Sequence, residues 1–484
     1  MAPPAPGVPE ERAVSSRLLH RWDVENREFW HAEGRAVAQL NLWISIPALL
    51  LSFAVWMVWS VVVVRLPEVG FPFTTDQLFW LAALPGLSGA TLRIFYAFMV
   101  PVFGGRRWTA ISTASLLIPA VGIGLAVQDP ATSYGTMLAL ALLCGFGGGN
   151  FASSMANISF FFPREQKGTA LGLNAGLGNL GVSTTQFVVP LVITAGVFGG
   201  LGGTPQRGAG GASVWLQNAG FVWVPFIVAC VVAAWFGMHD LATARASFRE
   251  QAVIFRRKHN WLMCWLYTGT FGSFIGFSAG LPLLVKAQFP GVDPVKYAFL
   301  GPLVGALARP VGGWLADRLG GARVTLWNFV AMAAAAGGVM AFLPEVGHHE
   351  GLHEGSFPGF LLMFLLLFLT SGIGNGSTFR MIPVMFLTLH ERLAGGHGAD
   401  GLAQPSGERL AQARRDAAKE GAAVIGFSSA VAAYGAFFIP RAFGVSMKAT
   451  GSPAGAFIGF IAVYLTCILV TWWVYARRRA EMPC

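Results

Sequence analysis

The segment GFGGGNFASSMANISFFFPREQKGTALGLNAGLGNLG, Gly145 to Gly181, decides how the chain is read. As a soluble loop, its GFGGGN opening would cradle a nucleotide, which requires a preceding strand inside a βαβ unit. The flanks, MLALALLC before and FASSMANISFFF after, argue against that, because both belong to membrane-spanning runs. As membrane helix, the segment has a physical rationale. Gly168, Gly172 and Gly176 recur at every fourth position, as do Gly145 and Gly149, and Gly148, Ala152 and Ala156. Small residues at that spacing let helices approach closely where no hydrophobic force drives them together. Asn150, Asn157, Asn174 and Asn179 need partners inside a bilayer, so they either cross-link helices or face a polar cavity.

Composition agrees. Of 484 residues, 54% are hydrophobic and 12% charged, against about 25% charged in soluble domains. The apolar runs are continuous and do not alternate, which argues against a β-barrel. Twelve spans are predicted, at about 40–64, 76–103, 107–127, 132–162, 166–199, 213–237, 260–286, 294–317, 323–344, 357–388, 420–446 and 453–476. The five cysteines have no metal-ligand spacing, so neither a metal, a cofactor nor a disulfide framework is expected. Residues 1–38 mix arginines with acids and contain no apolar segment; they are expected to lie against the membrane, without a signal peptide.

A net charge of +10 is compatible with a nucleic-acid partner, but its distribution answers otherwise. Twenty-four of the 33 Lys and Arg fall on one side of the twelve-span layout and five on the other. The positive-inside rule then places both termini in the cytoplasm. The basic residues are topology signals and call for no nucleic acid.

The spans divide evenly: a cytoplasmic segment 1–38, a six-helix half 39–237, a linker 238–259, a second half 260–478 and a tail 479–484. Arg93 is followed eleven residues later by GGRR, and Arg309 eleven residues later by GGAR. GFGGGN in span 4 is matched by GIGNGS, from Gly372 through Gly376, in span 10. Four landmarks in one order indicate a duplication. The expected fold is all-α, with twelve transmembrane helices in two pseudo-symmetric halves, the major facilitator layout. ADRLGGARV (Ala316–Val324) resembles that superfamily's cytoplasmic loop motif, and the first copy lacks the Asp-Arg pair. A gating salt bridge is therefore expected around Asp317.

Arg93 and Arg309 each lie eleven residues, about 16 Å, from the cytoplasmic end of their span. That is close to the bilayer centre, where a charge costs at least about 2.5–3.5 kcal/mol. All 23 Asp and Glu and all nine His fall in tails, loops or the extreme ends of spans. The partner expected for this cation pair is an anion supplied from outside the chain. Two Arg suit a planar oxyanion, since the guanidinium fork matches two oxygens at once. Arg380 and Arg441, near span ends, are expected to snorkel. Tyr267 and Phe271, spaced i, i+4, share a helix face, and Phe151 follows the glycine patch; by themselves these aromatics read as core or as stacking partners for a flat anion.

The segments GFGGGNFASSMANISFFFP, GTALGLNAGLGNLGVS, TGTFGSFIGFSAG, SGIGNGSTFRMIP and LNLWISIPALLLSFAVWMVWS resemble the nitrate/nitrite porters of the NarK type, from about Trp22 to the last helix. The resemblance implies one central anion site, with the paired arginines at Arg93 and Arg309, stacking aromatics at Phe151, Tyr267 and Phe271, and an amide at Asn179. It implies nitrate and nitrite as small-anion partners, a multi-pass protein of the bacterial cytoplasmic (inner) membrane, and a monomer in the lipid bilayer. The absence of a buried carboxylate or histidine points to nitrate/nitrite antiport; proton-coupled nitrate symport stays open, and a nitrate-sensing receptor using the 389–419 loop is a further alternative. No triad, metal cluster or paired carboxylate suggests an enzyme.

Overall fold

The computed structural model describes residues 17–208, 211–242, 252–344, 355–395, 407–482 and 484. Residues 1–16 of the N-terminal segment, 243–251 of the linker, 396–406 of the 389–419 loop and 483 of the tail lie outside the described residues.

Among the described residues, twelve long helices follow in order: α1 (Arg27–Val69), α2 (Thr75–Tyr96), α3 (Gly105–Ala126), α4 (Tyr134–Phe161), α5 (Arg164–Val192), α6 (Asn218–Gly237), α7 (Lys258–Gln288), α8 (Pro294–Leu319), α9 (Gly321–Ala341), α10 (Phe357–Gly395), α11 (Gly407–Thr450) and α12 (Ala454–Ala476). Eleven have the length and mean hydropathy to cross a membrane. The remaining one, α5, is long enough, but its glycines, asparagines and charged first turn make it less apolar. Helix α2 opens on a capping box, with Thr74 and Gln77 each satisfying the other's backbone N–H. The repeat seen in the sequence has a backbone counterpart. Gly104 precedes α3 with φ +85° and Gly320 precedes α9 with φ +89°, a conformation that favours glycine.

Some boundaries differ from expectation. Helix α5 stops at Val192 and α6 starts at Asn218, leaving a connection that carries a short hairpin, Gln206–Arg207 against Ser213–Val214. The same connection holds a 3-10 turn, Gly199–Gly202, which stops at Gly203, a residue at positive φ. Helices α10 and α11 run further than their apolar spans, because ERLA and AQARRDAAKEG are good helix formers and Ala413 and Ala417 are buried. Leu18–Leu19 pairs with Asp240–Leu241, tying the N-terminal segment to the start of the linker.

Packing defines the halves. In the first, α1 packs on α4 and α5, and α2 on α4; in the second, α8 packs on α10, and α9 on α10 and α12. Contact between halves runs through α2 with α11, α5 with α8, and α1 with α7. Every ion pair crossing between halves, among the described residues, sits at the end opposite the termini. Arg65 bonds Glu68 at 2.8 Å and Asp293 at 2.9 Å, Lys286 joins Glu68, and Arg441 bonds Asp76 at 2.8 Å. Arg441 also lies 4.0 Å from the Trp80 ring centre, so it has a carboxylate partner and an aromatic face where snorkelling was expected. Asp76, at the start of α2, was simply too distant in sequence to be read as that partner. Beneath these pairs, Gln186 on α5 donates to Ser60 Oγ at 3.0 Å and to the Ser278 carbonyl on α7 at 2.7 Å. At the end carrying the termini, ion pairs stay within a half or its adjoining linker and tail: Arg106–Asp240, Arg257–Glu420, Arg414–Glu391, Lys258–Glu481 and Asp317–Arg380.

Candidate functional site

The site is built where α2 and α8 carry their arginines past the glycine-rich helices α4 and α10. A Cβ on Gly148 would sit 2.7 Å from Gly89, and one on Gly145 would meet Ser88, so α4 lies directly on α2 one turn before Arg93. In the second half, Gly372 faces the Gly305 backbone, and Gly376 faces the carbonyl of Arg309 itself. Gly149 meets the Tyr96 ring. Helix crowding at these points fixes where each guanidinium emerges.

Arg93 is 0% exposed. Its Nε donates to the Gly148 carbonyl at 2.9 Å, and one terminal nitrogen donates to the Ser429 carbonyl of α11 at 3.1 Å. Three rings cover it: Phe151 at 4.8 Å, Trp56 at 5.3 Å and Phe271 at 5.6 Å. Arg309 is 8% exposed and lies 5.1 Å from Phe379. The two guanidinium groups are near enough to feel each other's charge, and Tyr267, whose hydroxyl adjoins Arg309, lies in the field of both. Neither arginine has a carboxylate partner among the described residues. Each keeps one buried nitrogen without a hydrogen-bond partner, Nη2 of Arg93 and Nη1 of Arg309. Unpaired charged donors in a dry interior are costly, which is the condition an anion relieves.

The aromatic pair of α7 stacks, with Tyr267 and Phe271 centroids 5.5 Å apart and 18° between planes. Directly after Tyr267 the helix widens into a π-turn, Thr268–Gly272, which contains Phe271, a local feature common at functional sites. Asn179 is 1% exposed and both atoms of its amide lack a partner. Asn150 and Asn174 act as cross-links, donating to Ser52 and Ser154. Asp317 pairs with Arg380 between α8 and α10, both half exposed, so Arg380 also has a carboxylate where snorkelling was expected. Among the described residues no group of three His, Cys, Asp or Glu could hold a metal.

The glycine stripe of α5 corrects an expectation. A Cβ on Gly168, Gly172 or Gly176 would meet nothing within 4 Å, so this face is not closely packed here. The close approach of α5 to α1 uses other glycines: Gly178 against Leu49 and Gly181 against the Leu50 carbonyl. Repeat spacing identifies a smooth face but not the partner, and the face nearest α1 lies round the helix from the stripe.

Sequence reasoning missed Trp56, Phe379 and Ser429. The Trp56 indole donates to the Pro85 carbonyl at 2.6 Å while its ring lies beside Arg93. A tryptophan in an apolar run carries no local mark of that role.

The chain matches the Major Facilitator Superfamily model over residues 45–403. It is 52% identical to the nitrate/nitrite transporter NarU of Escherichia coli, covering 96% of this chain and 97% of that one. It is 43% identical to the probable nitrate/nitrite antiporter NarK2 of Thermus thermophilus, covering 98% and 100%. The nitrite extrusion protein of Bacillus subtilis is 24% identical over 90% of this chain and 94% of its own.

Proposed function

The chain belongs to the Major Facilitator Superfamily, among the nitrate/nitrite porters of the NarK type, and we propose that it exchanges nitrate and nitrite by alternating access with the anion held between Arg93 and Arg309. It is a multi-pass membrane transporter and not an enzyme. The observation that carries the proposal is the pair of buried guanidinium groups, each with an unpartnered nitrogen, free of carboxylates and lined by Phe151, Phe271 and Tyr267.

A planar oxyanion accepts from both guanidinium groups and lies against the ring faces. Like charges about 8 Å apart at an effective dielectric of 20 repel by roughly 2 kcal/mol. A bound monoanion offsets that repulsion and lets the halves move as the loaded site closes. The empty site resists closure, so the carrier returns fastest with a second anion aboard; that is exchange. With the termini in the cytoplasm, the cross-half ion pairs close the outer mouth and the carrier faces inward. The open stripe Gly168, Gly172, Gly176 on α5 and Gly313 on α8, which also meets nothing within 4 Å, are the surfaces that come together when it turns outward. Asp317–Arg380 then braces the inner end of the second half.

Proton-coupled symport is the second reading, favoured by Tyr267, whose hydroxyl sits in the field of both arginines. Labelled nitrate flux into proteoliposomes separates the two. Exchange requires nitrate or nitrite inside and ignores a pH gradient. Uptake into anion-free vesicles driven by external acid would establish symport instead.

A further inference from the structure

A second polar recess lies inside the first half, and neither arginine lines it. It is a small cavity between α1, α3 and α4, about 10 Å³ for a water-sized guest, the room one water needs. No charged side chain lines it. Seven of its ten lining residues carry hydroxyls and an eighth is Asn150, although most of the exposed wall is apolar, from Ala48, Leu49 and the carbons of the polar side chains.

The direction of each hydrogen bond decides what fits. Ser52 donates to the Ala48 carbonyl at 2.8 Å, Thr109 to Gly105 at 2.7 Å and Ser153 to Asn150 at 3.2 Å. These hydroxyl hydrogens are held by their own helices, so lone pairs remain for the cleft. Asn150 is 5% exposed; its Nδ2 donates to Ser52 Oγ at 2.8 Å, and its Oδ1 has no partner. Ser45 and Ser154 share one bond of 2.8 Å, which leaves one hydroxyl hydrogen between them, and Thr113 supplies another. The cleft thus presents several acceptors, a buried amide oxygen among them, and few donors.

An anion needs donors or a cation and finds neither in sufficient number. A monovalent cation would meet oxygens but no carboxylate, in the half that already buries Arg93. Water donates twice and accepts from the remaining hydroxyls, so it matches the polar part of the lining. We propose that this cleft is a hydration site, in which ordered water donates to Asn150 Oδ1 and bridges α1, α3 and α4. The same lining rejects nitrate, so the anion path stays at the interface between halves. The inference does not depend on which anion is carried or on its coupling.

The test is a structure of the intact protein at a resolution that shows water, determined in sodium salt and again in thallium salt, with bromide as the anion in a third preparation. The expected result is a peak within hydrogen-bond distance of Asn150 Oδ1 and at least one hydroxyl oxygen, with no anomalous signal from thallium or bromide. A cleft without any peak would overturn the proposal, as would a thallium signal, which would make it a cation site, or a bromide signal. In Asn150→Leu the peak is expected to disappear while nitrate affinity stays within twofold of the parent. A peak retained in that variant would contradict the assignment of Oδ1. If that variant does not fold, Asn150→Val, a smaller apolar replacement that also removes Oδ1, supplies the comparison: the peak is expected to disappear, and a retained peak would contradict the assignment.

Discussion

A buried guanidinium keeps its place only when its donors and its faces are both covered. Arg93 has two backbone carbonyls and three rings, whereas Arg309 has the Phe379 ring and a neighbouring tyrosine. Arg93 is therefore the fixed cation of the pair and Arg309 the freer one. Removing Phe151 uncovers the fixed one: Phe151→Ala is expected to weaken nitrate binding about tenfold, or about 1.4 kcal/mol, at unchanged expression, measured by titration calorimetry. Trp56→Phe keeps a ring beside Arg93 but loses the bond to Pro85. It should cost about 1 kcal/mol of stability, read in a melting curve, with nitrate affinity changed less than threefold. The arginines were legible in the sequence because the missing counter-charge could be checked against every Asp, Glu and His. Trp56 and Ser429 were not, since one looks like core and the other acts through its carbonyl.

Helices turn these residues into a mechanism through their faces. A Cβ on Gly148 would run into Gly89 and Trp56, whereas one on Gly172 would meet nothing within 4 Å. Replacing them should therefore have opposite consequences. Gly148→Leu is expected to prevent stable folding, while Gly172→Leu should give normal yield in the membrane and little transport, because its side chain obstructs the outward-facing arrangement. Normal flux in Gly172→Leu would remove α5 from the gate. The sequence showed the periodicity of both stripes but not which is closed in this state, since close packing of the α5 stripe depends on a partner that moves. The linker adds a pH dependence. His239 is held below the usual imidazole range by burial and by Arg17 and Arg106, and its ring faces Asn41. A lowered folded value means the unfolded form binds protons first, so local stability is present at neutral pH and declines as pH falls below about 6.5. Hydrogen exchange at 239–242 should be faster at pH 5.5 than at pH 7.5 and should lose that dependence in His239→Gln.

For the whole molecule, the two-half plan was readable because duplicated landmarks, Arg93 with Gly104 and Arg309 with Gly320, recur in order. The contacts that select one conformation were not. Arg65 meets Asp293, and Arg441 meets Asp76, across long sequence separations with no local signal. Those pairs are partly exposed, so each alone contributes little, but together with Gln186 they close one end. Glu68→Gln combined with Asp76→Asn is expected to raise the labelling rate of a cysteine placed at Ser60 by a membrane-impermeant maleimide several-fold. An unchanged rate would mean apolar contacts such as Phe187 with Phe299 hold that end shut instead.

Calorimetric nitrate titration of the purified protein beside Arg93→Lys and Arg309→Lys, with circular dichroism confirming that all three are folded, addresses the anion site most directly. The guanidinium-pair account predicts saturable one-to-one binding by the parent and at least a hundredfold loss in each lysine variant, since lysine keeps the charge but lacks the fork. Parent-like affinity in either folded variant would contradict it.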